Sequence, residues 1–162
     1  MRVRTRAVRV LDDQGVAYRL VAHAHKAMNV EQAAAERGVP ISQVVKALLV
    51  CRSSTEREPG WSHIMALVRG DQRLSLKKLA REVHAKALEI APSADVPRIT
   101  GYQVGAVSPF GLRRTDITIY VDQHILEESH VSVSAGRHDA GLILETAALI
   151  EAVAGHVADI TE

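Results

Sequence analysis

The run Val44-Val45-Lys46-Ala47-Leu48-Leu49-Val50-Cys51 constrains the fold more than any other segment of the chain. An almost continuous apolar stretch of this length predicts a strand covered on both faces. Such a strand requires packed layers on either side of its sheet. One residue interrupts the pattern. Lys46 carries an ammonium among apolar neighbours, and burying a charge is costly unless something compensates it. Two readings are open. Lys46 is a sheet-edge lysine that discourages aggregation, or one whose stem lies along apolar surface while its head reaches water. Alternatively it is a fixed positive charge in a cleft, meeting a phosphate or a carbonyl oxygen that develops negative charge.

The remaining elements follow from spacing and punctuation. Residues 3–14 have helical periodicity, with Val3, Ala7, Val10 and Leu11 on one side, and Gly15 stops the helix. Residues 16–21 alternate like a short strand. Asn29 is placed to cap a helix from Val30 to Arg37, which Gly38 ends. The polar stretch Arg52 to Gly60 separates the lysine strand from a second apolar run at 61–68, which predicts an antiparallel pair joined by a long loop. Ser75 caps a helix carrying Leu76, Leu79, Ala80 and Val83. Short strands are expected at 87–91, 117–121, 131–134 and 142–144, a helix or turn region at 92–104, a helix at 146–154, and a short run at 156–160. Strands and helices mix without strict alternation. The expectation is an α/β (α+β) fold: one compact domain over residues 1–162, with a mixed, mostly antiparallel sheet flanked by helices.

A chain of 162 residues, 47% apolar and 24% charged, can bury a core without a metal or a disulfide. Its one cysteine, Cys51, excludes an internal disulfide and a cysteine-based zinc cluster, and suits a reducing cytoplasm. No apolar run approaches the roughly 20 residues that span a bilayer. The basic N-terminus is not followed by a signal-peptide apolar core. A net charge of +1 does not favour gripping a long duplex, so DNA is not an expected partner. Two small basic clusters remain, Arg2, Arg4, Arg6 and Arg9, and the pair Arg113 and Arg114. They are either solvated surface or local contacts to the end of an RNA.

Two further segments bear on chemistry. Gly105-Ala106-Val107-Ser108-Pro109-Phe110-Gly111 combines turn formers with apolar residues. It is an ordinary tight connection, or a rigid bent backbone that aims amide groups into a pocket. Ser134-Ala135-Gly136 ends a predicted strand with small residues, as a turn entry or a narrow pocket floor. No G-x-S-x-G elbow surrounds Ser134, so it is not expected to be a nucleophile. None of the eight histidines forms H-E-x-x-H, and both phosphate-binding glycine motifs are absent, so no metal and no nucleotide cofactor are expected.

In order and spacing these segments resemble the YbaK family, the prolyl-tRNA-synthetase-associated editing domain. Val44 to Val50 is similar to the family's lysine strand. Thr100-Gly101-Tyr102-Gln103-Val104-Gly105-Ala106-Val107-Ser108-Pro109-Phe110-Gly111 resembles its T-G-Y-x-x-G-G-x-S-P-x-G segment, and Val133-Ser134-Ala135-Gly136 its S-[AG]-G strand end. The resemblance spans nearly the whole chain. It implies hydrolysis of the ester between an amino acid and the terminal adenosine of a mischarged tRNA, with Lys46 as the catalytic residue near the ester or terminal phosphate. It further implies that backbone around Gly105 holds the aminoacyl carbonyl. Ala106, Ser108, Pro109, Ser134 and Gly136 would be the other substrate-binding positions. The implied reaction uses no cofactor, no metal and no protein nucleophile; the substrate's own ribose hydroxyl assists. The implied partners are tRNA, foremost tRNA(Pro) carrying Cys or Ala with Ser and Thr open, and prolyl-tRNA synthetase. Four positions depart from the pattern. Ala47 stands where the family often has Thr, and Ala106 where it has a second glycine, narrowing the loop. Asn29 stands where the cysteine branch has an aromatic residue, and Gly141 where that branch has an aspartate. A catalytically weak tRNA- or synthetase-binding module is the competing reading.

Overall fold

The computed structural model describes residues 3–53 and 63–162. The predicted loop at 54–60, Trp61, Ser62 and Arg2 lie outside the described residues. Local signals set most of the element boundaries. Helix α1 (Arg6–Asp13) begins later than its periodicity suggests because Thr5 is extended and its hydroxyl accepts from Val8 N at 3.3 Å. Helix α2 (Val30–Arg37) is capped by Asn29, whose Oδ1 accepts from Gln32 N at 2.8 Å, and ends at a left-handed Gly38. Helix α3 (Leu76–Glu82) is capped by Ser75. Helix α4 (Asp95–Thr100) lies inside the 92–104 region and carries Pro97 in its first turn, and α5 is Thr146–Ala152.

Among the described residues, eight strands form two sheets rather than one. The larger has the order β4-β2-β3-β5-β8, comprising β2 (Val45–Arg52), β3 (Ile64–Arg69), β4 (Leu88–Ile90), β5 (Thr118–Asp122) and β8 (His156–Ala158). The smaller has the order β1-β7-β6, with β1 (Arg19–Ala22), β6 (His130–Arg137) and β7 (Ala140–Glu145). β2 and β3 pair antiparallel with Lys46 opposite Val68, as the two apolar runs predict. Among the described strand pairs, β3–β5 and β5–β8 are parallel and the other four antiparallel, so the pairing is mixed and mostly antiparallel as expected. A parallel bridge between Val44 and Ser132 connects the sheets at the start of β2.

Alternation along β3 explains the layering. Met65 and Leu67 face a core shared with Val131, Val133, Leu142 and Leu144 of the smaller sheet, and with Leu11 of α1. Ile64, Ala66 and Val68 face the opposite way, onto Leu79 and Ala80 of α3 and onto Ile160. A third cluster lies under α4, where Val96 and Ile99 meet Leu49 and Cys51 of β2.

A buried carboxylate anchors the C-terminal segment. Asp122 is fully buried. Its Oδ1 accepts from Ile160 N at 3.0 Å and lies 3.2 Å from the Thr161 hydroxyl, and its Oδ2 accepts from His124 N at 3.1 Å. Nothing in the local sequence marks this residue. Removing the carboxylate strands buried donors, each costing about 1–3 kcal/mol. Asp122→Ala is therefore expected to lose about 3 kcal/mol of stability in urea unfolding. A loss below about 1 kcal/mol would remove Asp122 from this role.

Candidate active site

The site lies on an unpaired stretch of β2. On one side β2 pairs with β3 from Val45 to Val50; on the other it meets β4 only at Val50, Cys51 and Arg52. Leu49 O accepts from Ala91 N on the β4 side at 2.9 Å. Strand alternation turns the amide and carbonyl of Ala47 toward the same side, where no strand among the described residues covers them. A cavity of about 270 Å³ opens there. Its floor is Val44 to Leu49. Its walls are α2 with the residues just before it, the segment after β4, the Val104–Val107 loop, and Ser134. Exposed Met28, Ile90 and Val104 form an apolar rim.

Three of the expected site residues, distant in sequence, meet at this cavity: Lys46, Gly105 and Ser134. Lys46 is half-buried, and Nζ donates to Gln72 O at 2.5 Å, leaving two of its three N–H groups without a further protein partner among the described residues. Burial lowers its pKa, opposed by the nearby Asp71 and Glu31 carboxylates. Lys46 thus sits on the part of β2 that β4 does not cover, and that stretch is the floor of a cleft. Gly105 has φ +85°, the left-handed turn that brings the loop over the cavity. The Ser134 hydroxyl donates to Ala106 O at 2.9 Å and accepts from Gly136 N at 3.0 Å. Its one proton is committed to holding the loop against β6.

The other expected positions do not line the cavity. Ala106, Ser108 and Pro109 are buried behind the loop, so the Ala106 methyl does not narrow the opening. Ser108 Oγ accepts from Phe110 N at 3.4 Å. Gly136 packs beneath the Tyr102 ring, and the Tyr102 hydroxyl donates to Phe110 O, so this glycine supports the loop from behind. Among the described residues no three metal-ligating side chains come together.

Sequence reasoning missed Arg37, which lines the cavity and is only 8% exposed. Its Nε donates to His23 Nε2 at 3.1 Å and its Nη1 to Ser132 Oγ at 3.0 Å. Among the described residues no carboxylate pairs with it, and burial pulls its pKa down to about 10. His23 Nδ1 lies 3.0 Å from His138 O. A carbonyl only accepts, so Nδ1 carries the proton and Nε2 is the free acceptor that Arg37 uses. Arg37 follows Ala33 and Ala34 by four and three positions on the buried face of α2, and that spacing is the pattern that marks it. A last-turn arginine is ordinarily solvated against the helix dipole, which hides the residue.

The family model of the aminoacyl-tRNA editing domain matches residues 24–152. The chain belongs to this family. A relative from Enterococcus faecalis, assigned as the Cys-tRNA(Pro)/Cys-tRNA(Cys) deacylase EbsC, is 28% identical over 160 residues, covering 98% of this chain and 93% of that protein. The multifunctional Ser/Thr-tRNA deacylase ProXp-y of Escherichia coli K12 is 29% identical over 144 residues, 88% of this chain and 83% of that one. A crystal structure assigned as a trans-editing enzyme for prolyl-tRNA synthetase superposes with TM-score 0.85 at 26% identity, covering 99% of both chains.

Within this editing domain the departures at positions 29 and 141 have local causes. Asn29 serves as the cap of α2 while lining the cavity. Gly141 backs onto Arg37: a Cβ there would sit 2.1 Å from Nε, so the guanidinium occupies the space that a side chain at 141 would need.

The His23–Arg37 contact has a pH signature. Burial foremost, and then the Arg37 charge, depress the His23 pKa below its ordinary 6.5. The unfolded chain therefore takes up this proton at higher pH than the folded one, and stability falls as pH drops below about 6.5 through the lower folded value. His23→Gln, which keeps an acceptor for Arg37, is expected to flatten that fall. Urea midpoints of the two proteins between pH 7.5 and 5 check this, and parallel curves would contradict it.

Proposed function

We propose that this editing domain hydrolyses the ester joining an amino acid to the 3′-terminal adenosine of a mischarged tRNA, acting in trans. One observation carries the reading: Lys46, the Gly105 loop and Ser134 converge on one small cavity, in a chain of the aminoacyl-tRNA editing family. The deacylase names of the two relatives support it. The proposed substrate is tRNA(Pro) carrying a small amino acid, in a cytoplasmic setting beside prolyl-tRNA synthetase. Residues 1–162 are proposed to act as one unit, a reading supported by the core that Leu11 of α1 shares with Leu142 of β7.

The chemistry needs little from the protein. Water adds to the ester carbonyl carbon while the carbonyl oxygen gains negative charge. The bond to the ribose oxygen then breaks, a proton goes to that oxygen, and the amino acid leaves as its free acid. Lys46 and the outward amide of Ala47 are the donors for the developing charge or the adjacent phosphate, at fixed positions on a strand. Met28, Ile90 and Val104 offer apolar surface for the terminal adenosine. The neighbouring ribose hydroxyl supplies the proton relay that Ser134, already engaged, does not.

Lys46→Ala is expected to lower kcat/KM for amino-acid release by about 10²–10³-fold, the cost of one such charge-stabilising donor. Release of labelled amino acid from tRNA(Pro) charged with Cys, Ala or Ser, and from tRNA charged with Thr, measures it. No release above buffer from any of these substrates would make the accessory binding module the better account.

One arginine from each basic cluster, Arg6 and Arg113, comes together at the surface. Arg6 Nη2 donates to Leu112 O at 3.5 Å, and Arg6 and Arg113 both approach Gly101. This small patch is the proposed contact for the tRNA backbone. Arg6→Ala and Arg113→Ala are expected to flatten the slope of log affinity against log salt by roughly 0.7–0.9 for each phosphate that the variant no longer neutralises. Unchanged slopes would place the contact elsewhere.

A further inference from the structure

Arg37 is a buried cation whose protein partners are both neutral. His23 Nε2 and Ser132 Oγ take two of its five N–H groups. The Nη2 end has no protein partner among the described residues, and Arg37 is part of the cavity lining. Nothing about α2 requires this. A last-turn arginine can meet the helix dipole from solvent, and the face shared with Ala33 and Ala34 would pack well with an apolar residue. Two fixed acceptors also aim the guanidinium: His23 is locked as an acceptor by His138 O, and Ser132 is fully buried on β6. Gly141 completes the arrangement by leaving the guanidinium its room.

We infer that Arg37 reads an oxygen acceptor, a hydroxyl or a carboxylate, on the side chain of the amino acid being removed, and selects it over a side chain ending in a methyl or a thiol. This rests on the proposed editing reaction and names the substrate class of the same site. A pocket that presents a fixed donor rejects the analogue lacking an acceptor because the donor is then left buried and unpaired. Alanine offers no acceptor and cysteine only a weak one. Serine, threonine and aspartate offer oxygens.

The test uses adenosine carrying serine, threonine, aspartate, alanine or cysteine through a 3′-amide, which cannot be hydrolysed, with binding read by calorimetry. The oxygen-bearing compounds are expected to bind at least about tenfold more tightly than the alanyl one. That preference is expected to collapse in Arg37→Met and in Gly141→Ala, which displaces the guanidinium without deleting it. Arg37→Lys is expected to restore part of it. A ratio of affinities measured on one protein sample does not depend on how much of that sample is folded, so a merely structural role for Arg37 would leave it unchanged. Alanyl or cysteinyl compounds binding as tightly as the rest, or a preference surviving in Arg37→Met, would overturn the inference. Aspartate above serine, or the reverse, upholds it and identifies the acceptor as carboxylate or hydroxyl. The same side chains, esterified to one tRNA, separate the two proposals. An Arg37-dependent binding preference without ester hydrolysis sinks the editing reaction alone. Hydrolysis without such a preference sinks the role of Arg37 alone.

Discussion

Strand β2 is paired with β3 over six positions and with β4 over only three, and the site depends on that mismatch. An uncovered strand edge is usually a liability, because its amides and carbonyls invite another chain. Here α2, the Gly105 loop and the segment after β4 roof the edge at a distance and leave a cavity instead of a seal. The sheet interior makes the edge rigid: Val50 and Met65 are fully buried, and both faces of β3 are covered. Groups presented from β2 are thus held by a close-packed core rather than by a loop. That suits chemistry whose main requirement is position.

Two cations share this cavity, and they are solvated differently. Lys46 reaches the carbonyl of Gln72 and lies near Asp71 and Glu31, so its charge is partly balanced by the protein. The Thr161 hydroxyl lies 3.0 Å from Gln72 Oε1 and 3.2 Å from Asp122 Oδ1, and its one proton serves one of these acceptors at a time, which places the lysine's anchor beside the C-terminal segment. Among the described residues Arg37 has no such balance and is held by two neutral acceptors. A balanced charge can act on whatever enters the site. An unbalanced one favours particular entrants, because the ligand must supply what the protein does not.

The sequence made the site's frame readable where backbone rules apply. Asn29, Ser75, Gly15 and Gly38 mark helix ends through their own side chains or their lack of one, and the apolar runs of β2 and β3 fix the antiparallel pair. Lys46 stood out because a charge in an apolar run contradicts its neighbours. What escaped was long-range. The two sheets are joined at the start of β2 by a bridge between Val44 and Ser132, 88 residues apart, and no local pattern encodes it. Arg37 escaped because a basic residue in a last turn is ordinary, and only the packing of α2 against β7 makes it unusual. The turn formers of the Gly105 segment mark it as a loop, but its inward and outward positions follow from contacts with Ser134 and Tyr102 that spacing does not give.

An ester hydrolase built this way need not be elaborate. An aminoacyl ester is already activated, so a fixed charge, an unpaired amide and a close-fitting wall can account for the rate without a protein nucleophile. Discrimination is harder than rate, since one methylene is worth only about 1–3 kcal/mol in an apolar pocket. A site that relied on size alone would accept every small amino acid in turn. A buried donor changes this, because the penalty for leaving it unpaired falls on the wrong side chain rather than on the right one. The glycine at 141 and the arginine at 37 are best understood together: the absence of a side chain on β7 makes room for a guanidinium from α2, and a pocket otherwise suited to any small residue acquires a chemical preference.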